Sequence, residues 1–287
     1  MQIKIRTMDT EDITFALNLT KSENWWFTKN DFIRLLDFEP NGCFIAEKNG
    51  ASRVGIVTTL SYGKFAWLGV LIVDPNYRSK GIGTMLTEHA FSYLKEVGAE
   101  TIKTDAVPKA VSLFERLECK KECKVLRLYS KGKALEGKKE RDIRGLKAID
   151  IEKLITFDED YSGVSRAKVL KRLIMDFPEL CLVEYENKNK LIGYMMIRKY
   201  EEGYRIGPWI CDPSNSDIAE RLLRDALHTI DGAPTKINVL ETNNVAIKIL
   251  KTHGFEEISE FVRMYYGTYK PFNTSNALFA AGGPDKG

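Results

Sequence analysis

Arg78-Ser79-Lys80-Gly81-Ile82-Gly83 packs two glycines, two cations and a hydroxyl into six residues, directly after the apolar run Phe65 to Val73 and Asp74-Pro75. Glycine admits backbone angles and close approaches that a side chain forbids. From Thr84 onward, Met85, Leu86, Ala90, Phe91, Leu94 and Val97 repeat at helical spacing, so a strand enters a glycine-rich turn that opens a helix. The first N–H groups of a helix lack internal partners and lie at its positive end. Such a turn can bind a pyrophosphate. Two other phosphate loops fit badly: a P-loop ends in Gly-Lys-Ser/Thr, whereas Gly83 is followed by Thr84-Met85, and a dinucleotide fingerprint needs three glycines at another spacing.

The elements that must position this turn are duplicated. Shifting the chain against itself by 138 residues aligns Ile5-Arg6 with Ile143-Arg144, Asp12-Ile13 with Asp150-Ile151, Cys43 with Cys181, Tyr62 with Tyr200 and Asp74-Pro75 with Asp212-Pro213. Fifteen identities fall between residues 5 and 75, roughly three times what random pairing gives, which marks an internal repeat. Each half reads as strand, helices, three strands, the loop, helix, strand, helix and strand, an α/β class with a mixed sheet. In the first half, strands are expected near 2–6, 43–48, 53–62, 66–73, 101–105 and 123–129. Helices are expected near 9–20, 28–37, 82–97 and 108–117. The polar, glycine-containing stretch 131–140 reads as a linker, separating a first domain at 1–130 from a second at 141–287.

Val73, Pro75, Tyr77, Arg78, Gly81 and Gly83 match V-x-P-x-Y-R-x-x-G-x-G, and the segment resembles the acyl-coenzyme A loop of the GNAT superfamily of N-acetyltransferases. Ala66-Trp67-Leu68-Gly69, Thr104-Asp105-Ala106-Val107-Pro108, and Trp25, Thr28 and Asp31 ahead of Leu35-Leu36 and Gly42 to Glu47 are similar to a two-domain, YitH-like branch of that family. The resemblance implies tandem GNAT folds and acetyl-CoA as co-substrate. It assigns the coenzyme to Leu71, Ile72 and Val73 through their backbone groups, to Arg78, Ser79, Lys80, Gly81, Ile82, Gly83 and Thr84 in the loop, and to Phe114 against the coenzyme arm. At the repeat offset Arg78, Gly81 and Gly83 face Ser216, Ala219 and Arg221. The coenzyme therefore belongs to the first half only, and the second is a degenerate GNAT-like domain.

Members of the family transfer the acetyl group directly to an amine, many with a tyrosine as general acid in the helix after the fifth strand. Here that position is Phe114, which cannot donate a proton, so the catalytic acid is unknown. Asp105 and Tyr62 are the candidates for base and acid. Asp105 could equally cap the helix near Pro108, and Tyr62 could complete a core edge. Trp25 and Trp26 read as an acceptor wall or as a hinge packed on the core. Arg166, in the equivalent place of the second half, reads as a second acceptor contact or as a surface ion pair.

Composition sets outer limits. Lys plus Arg number 43 against 40 acids, a net charge of +3, with the signs interspersed, which argues against nucleic-acid binding. No apolar run approaches the roughly 20 residues of a membrane span, and the first residues alternate like a strand rather than a signal peptide; a cytoplasmic protein without a membrane partner is expected. The five cysteines are odd in number without a C-x-x-C pair, and the three histidines stand far apart, so neither a disulfide framework nor a metal site is expected. The expected acceptor is a small-molecule amine. Non-catalytic acyl-CoA sensing and protein or peptide acetylation are the alternatives, and monomer and homodimer are both open. Ala280 to Gly287 reads as a surface extension or a loop over the second domain.

Overall fold

The computed structural model describes residues 2–132, 143–187, 189–214, 216–271 and 276–287. The chain packs as two units that exchange segments: Met1–Glu122 with Val262–Lys270 and Pro284–Gly287, and Cys123–Phe261 with Pro271–Gly283. This division departs from the expected boundaries, because a strand late in each half completes the unit of the other half. The expected linker 131–140 lies almost wholly outside the described residues.

The first unit runs β1 (Ile3–Thr7), α1 (Ile13–Ser22), α2 (Lys29–Phe38), β2 (Cys43–Lys48), β3 (Ser52–Tyr62), β4 (Phe65–Val73), α3 (Ile82–Glu96), β5 (Thr101–Ala106), α4 (Val111–Arg116) and β6 (Lys120–Ser130), the last passing into the second unit. The second continues with β7 (Ile143–Gly145), α5 (Ile151–Ser162), α6 (Ala167–Asp176), β8 (Cys181–Glu186), β9 (Lys190–Tyr200), β10 (Gly203–Cys211), α7 (Ser216–Thr229), β11 (Thr235–Leu240), α8 (Asn244–Thr252), β12 (Glu256–Gly267) and β13 (Leu278–Ala280). Within the first unit the strand order is β1-β2-β3-β4-β5-β12, the last contributed by Val262–Gly267 against Ala106–Thr101. Within the second it is β6-β11-β10-β9-β8-β7, with β13 on β10. Every strand and helix expected in the first half is present within three residues of its expected ends, apart from a 3₁₀ turn at the start of the first and last helices.

Alternation along the strands fills both faces of the first sheet. Phe44, Ala46, Val57, Ala66 and Leu68 pack with Leu86, Ala90 and Leu94 of α3, while Cys43, Ile45, Ile56, Val70 and Ile72 pack with Ala16 and Leu19 of α1 and Phe32 and Leu35 of α2. Helix α2 starts at a reciprocal capping box, Thr28 with Asp31. The repeat is preserved at the level of atoms. Arg6 grips Asp12 through two bonds of 2.7 and 2.8 Å, and Arg144 grips Asp150 through two of 2.6 and 2.8 Å.

The C-terminal segment differs from its expected role as a surface extension. Leu278–Ala280 is a buried strand, and Pro284 to Gly287 belong to the first unit. There the Trp67 indole N–H donates to the Pro284 carbonyl at 3.0 Å and the Tyr62 hydroxyl to the Lys286 carbonyl at 2.8 Å. Asp285 and Lys286 are buried and paired with each other. Among the described residues no helix is long and apolar enough to cross a membrane.

Candidate active site

Parallel strands β4 and β5 pair only over Phe65–Trp67 and Thr101–Lys103, and the chain beyond them leaves a cleft. A bulge contributes to it: Thr58 faces Gly69 but Ile56 faces Ile72, so β4 carries one extra residue, with Val70 at φ 47°. A β-branched residue rarely adopts a positive φ. The bulge redirects the strand, and Leu71, Ile72 and Val73 after it line one wall. Val107, Ala110, Ser112 and Leu113, after β5 and on α4, line the other. The cleft holds about 460 Å³, within the range of small-ligand sites.

Its floor is the glycine turn. Gly81 is the N-cap of α3 at φ 79°, in the left-handed region, and no side chain caps the helix. The first-turn N–H groups therefore keep their donor capacity for a ligand. A β-carbon on Gly83 would lie 3.0 Å from Leu113 Cδ1 and 3.8 Å from Val73 Cγ2, so the floor is closely packed at this glycine. Uncapped donors, an apolar channel and a cationic rim fit an elongated ligand with phosphates at one end, as coenzyme A has.

The rim was not legible from the sequence. Glu23, just past the end of α1, lines the cleft and accepts from Arg78 Nη2 and, at 2.7 Å, from Lys109 Nζ. Burial alone would raise the Glu23 carboxyl, but Lys109 and Arg78 hold it below its ordinary value. Arg78 also donates from Nε to the Val73 carbonyl at 3.0 Å, tying the rim to the strand end. Arg116 and Tyr77 complete the lining. Nothing in the sequence spacing of 23, 78 and 109 announces that they meet.

Of the expected coenzyme residues, the structure brings Leu71, Ile72, Val73, Arg78, Ser79, Gly81, Ile82, Gly83 and Thr84 to one cleft, with Trp25. The others lie elsewhere. Lys80 is not among the lining residues; its Nζ donates to the Asn76 carbonyl at 3.2 Å and lies 5.3 Å from the centre of the Tyr77 ring. Phe114 is buried in the core under α3 rather than beside the channel. Asp105 neither faces the cleft nor caps a helix: its carboxylate is held by Arg263 Nε at 2.8 Å and Nη2 at 3.1 Å, with both side chains buried. Tyr62 is spent on the Lys286 carbonyl. Trp26 is half-buried and not among the lining residues. Arg166 is no surface ion pair; it is buried in the second unit, donating to Asp158, which also accepts from the Tyr194 hydroxyl.

The second unit has lost the cleft in two ways. Helix α7 starts at Ser216, four residues earlier than the repeat offset requires, so the counterpart of the glycine turn is wound into the first helical turn. Ala219 is buried there, and Arg221 is paired with Glu184. In addition, β10 and β11 pair only over Tyr204–Ile206 and Thr235–Ile237, and beyond them β13 lies against β10 while the Ala281 N–H donates to the Asn238 carbonyl of β11 at 2.9 Å. The chain itself occupies the opening that the first unit leaves clear.

Residues 12–118 match the acetyltransferase (GNAT) family model, and residues 154–280 match a second acetyltransferase (GNAT) domain model. The chain belongs to the GNAT acetyltransferases. It carries two such domains in tandem. It is 26% identical over 252 residues to a holothin acyltransferase of Pseudoalteromonas sp. (strain SANK 73390), covering 86% of this chain and 82% of that protein. It is 22% identical to YitH of Bacillus subtilis (strain 168), described as an uncharacterized N-acetyltransferase, over 93% of this chain and 92% of that one. A crystal structure of a Pyrococcus horikoshii protein described as an acetyltransferase superposes with a TM-score of 0.83 at 22% identity, over 99% of this chain and 96% of that chain. The fold class expected from the sequence, a mixed α/β sheet in tandem GNAT domains, is the one found.

Proposed function

We propose that this GNAT acetyltransferase binds one acetyl-CoA in the cleft of the first unit and transfers the acetyl group directly to the amine of a small molecule. The observation that carries the reading is the uncapped glycine start of α3 at the floor of an apolar cleft with a cationic rim. Bound there, acetyl-CoA supplies an activated thioester. The first-turn N–H groups of α3 and the cations Arg78 and Lys109 hold the phosphates, and Leu71 to Val73 line the arm.

Direct transfer is supported by the lack of a thiol or a histidine-activated hydroxyl in the cleft lining. None of the five cysteines lines it, and burial pushes the thiols of Cys43, Cys119 and Cys181 up to about 12, which keeps them protonated. No histidine lines the cleft to activate a hydroxyl. With Phe114 in the core, the hydroxyl that α4 presents to the cleft is that of Ser112. We assign it to hydrogen-bonding the leaving sulfur, with the proton arriving from water. Trp25, which lines the cleft, forms the wall against which an acceptor amine would rest.

The test is calorimetric titration with acetyl-CoA, followed by thiol release over a panel of small amines and lysine peptides. One coenzyme per chain with turnover on a small amine is the expected result. Two coenzymes per chain, or turnover on peptides alone, overturns the reading. Ser112→Ala should lower kcat while leaving coenzyme affinity intact; an unchanged kcat removes Ser112 from the chemistry.

A further inference from the structure

The second unit carries buried positive charge that the acetyl-transfer cleft does not use. On the face of its sheet opposite α7 and α8, Arg205 of β10 lies in register with Arg198 of β9 on one side and Lys236 of β11 on the other. Two residues further along β11, Asn238 lies opposite Arg127 of β6. Side chains directly opposite each other on neighbouring strands have β-carbons about 5 Å apart, and like charges placed so are destabilising. Arg198 is 0%, Arg205 3% and Arg127 7% exposed, so water does little to screen them.

Several buried donors on this face have no acceptor among the described residues. Arg198 donates from Nη2 to the Gly282 carbonyl, while its Nε and Nη1 are buried without a partner among the described residues. Arg205 has the Tyr200 ring 5.3 Å from its guanidinium carbon and makes no hydrogen bond or ion pair among the described residues. Asn238 accepts from Arg127 Nε at 3.2 Å through Oδ1, and its Nδ2 has no partner among the described residues. Arg127 stacks over Phe261 at 4.4 Å. Every orphaned atom in this group is a donor, and a buried donor or cation without an acceptor is among the costliest features a fold can carry.

We propose that this face of the second unit is an anion site, in which Arg198 and Arg205 bind a compact oxyanion, phosphate or carboxylate, with Lys236 and Asn238 Nδ2 completing the shell. The planar forks of two guanidinium groups suit an oxyanion that accepts several hydrogen bonds at once. Lys236 is a member of the same cationic cluster. Burial, with Arg127 and Arg205, holds its ammonium down to about 8, while Glu202 in the exposed β9–β10 turn pulls the other way. None of these residues lines the coenzyme cleft, so the site is a second ligand site on the chain.

The full-length protein, desalted into chloride at constant ionic strength, would be melted and titrated calorimetrically with inorganic phosphate and, separately, with succinate. A ligand that binds only the folded state raises Tm with the logarithm of its concentration. The expected result is such a rise for at least one anion, the stronger arm distinguishing a phosphate from a carboxylate ligand. The Lys236 side-chain amine, followed by NMR, should titrate at higher pH once the anion is bound. Arg205→Met should weaken the anion by about tenfold or more, and Arg198→Met provides a second variant if either fails to fold. Absence of a Tm rise and of binding heat with both anions overturns the proposal, as does binding that persists undiminished in a folded Arg198→Met or Arg205→Met protein.

Discussion

Replacing Gly83 by aspartate should weaken coenzyme binding about thirtyfold without unfolding the protein. The added β-carbon would meet Leu113 Cδ1 at 3.0 Å, the free end of a flexible side chain that can yield a few tenths of an ångström, so Gly83→Ala should bind nearly as well as the parent. Aspartate adds a carboxylate in the first turn of α3. That charge is favourable toward the helix end by about 0.3–1 kcal/mol, so folding stability should hold. Toward a phosphate it is repulsive: two unit charges about 4 Å apart interact by about 4 kcal/mol at an effective dielectric of about 20. The cleft is open to water, so half of that is a conservative figure, about 2 kcal/mol, or roughly a thirtyfold loss in affinity. Calorimetry with coenzyme A on the parent, Gly83→Ala and Gly83→Asp proteins at fixed ionic strength measures it. A folded Gly83→Asp protein that binds within about threefold of the parent would refute the placement of the phosphates at the start of α3.

Glu23→Gln removes the carboxylate that neutralises Arg78 and Lys109; because both cations are substantially exposed, the gain in coenzyme affinity should be at most about 1 kcal/mol, roughly fivefold, and should shrink with added salt. A salt-independent change would sink that account. Asp105→Asn leaves Arg263 buried with a weaker acceptor and should cost about 3–5 kcal/mol in urea denaturation; a large loss of kcat with stability retained would instead restore Asp105 as a catalytic base. Asp12 is buried, which by itself would raise its pKa, yet Arg6 and a backbone N–H hold it at about 2, against about 3.9 unfolded. A depressed folded pKa contributes stability that is complete above about pH 4 and is lost as pH falls toward 2. Asp12→Asn should therefore flatten the stability profile in that window, and a profile as steep as the parent's argues against it. Arg221→Gly should leave the coenzyme stoichiometry at one, because β13 and the early start of α7 still close the second unit; a second binding event would show that Arg221 alone blocks it.

The local elements were legible because their signals are local. Helical spacing after Gly83, alternation in β3 and the glycine turn each depend on a few neighbouring residues, and the 138-residue repeat is visible as identity along the chain. The absence of a second glycine turn was readable from Ser216, Ala219 and Arg221, where no glycine remains. What tertiary structure decided is which distant residues meet. Glu23, Arg78 and Lys109 form one rim across 86 positions of sequence. Asp105, placed at a strand end where a base could sit, is instead matched by Arg263 from β12, 158 residues on. Phe114 and Ser112 share α4, yet one faces the core and the other the cleft, a choice of helix rotation that packing makes and local spacing cannot. The exchange of strands and the inward turn of Pro284 to Gly287 belong to the same class: a long-range pairing is won by the partner that buries most surface and satisfies most backbone groups, and that comparison exists only once the whole chain is folded.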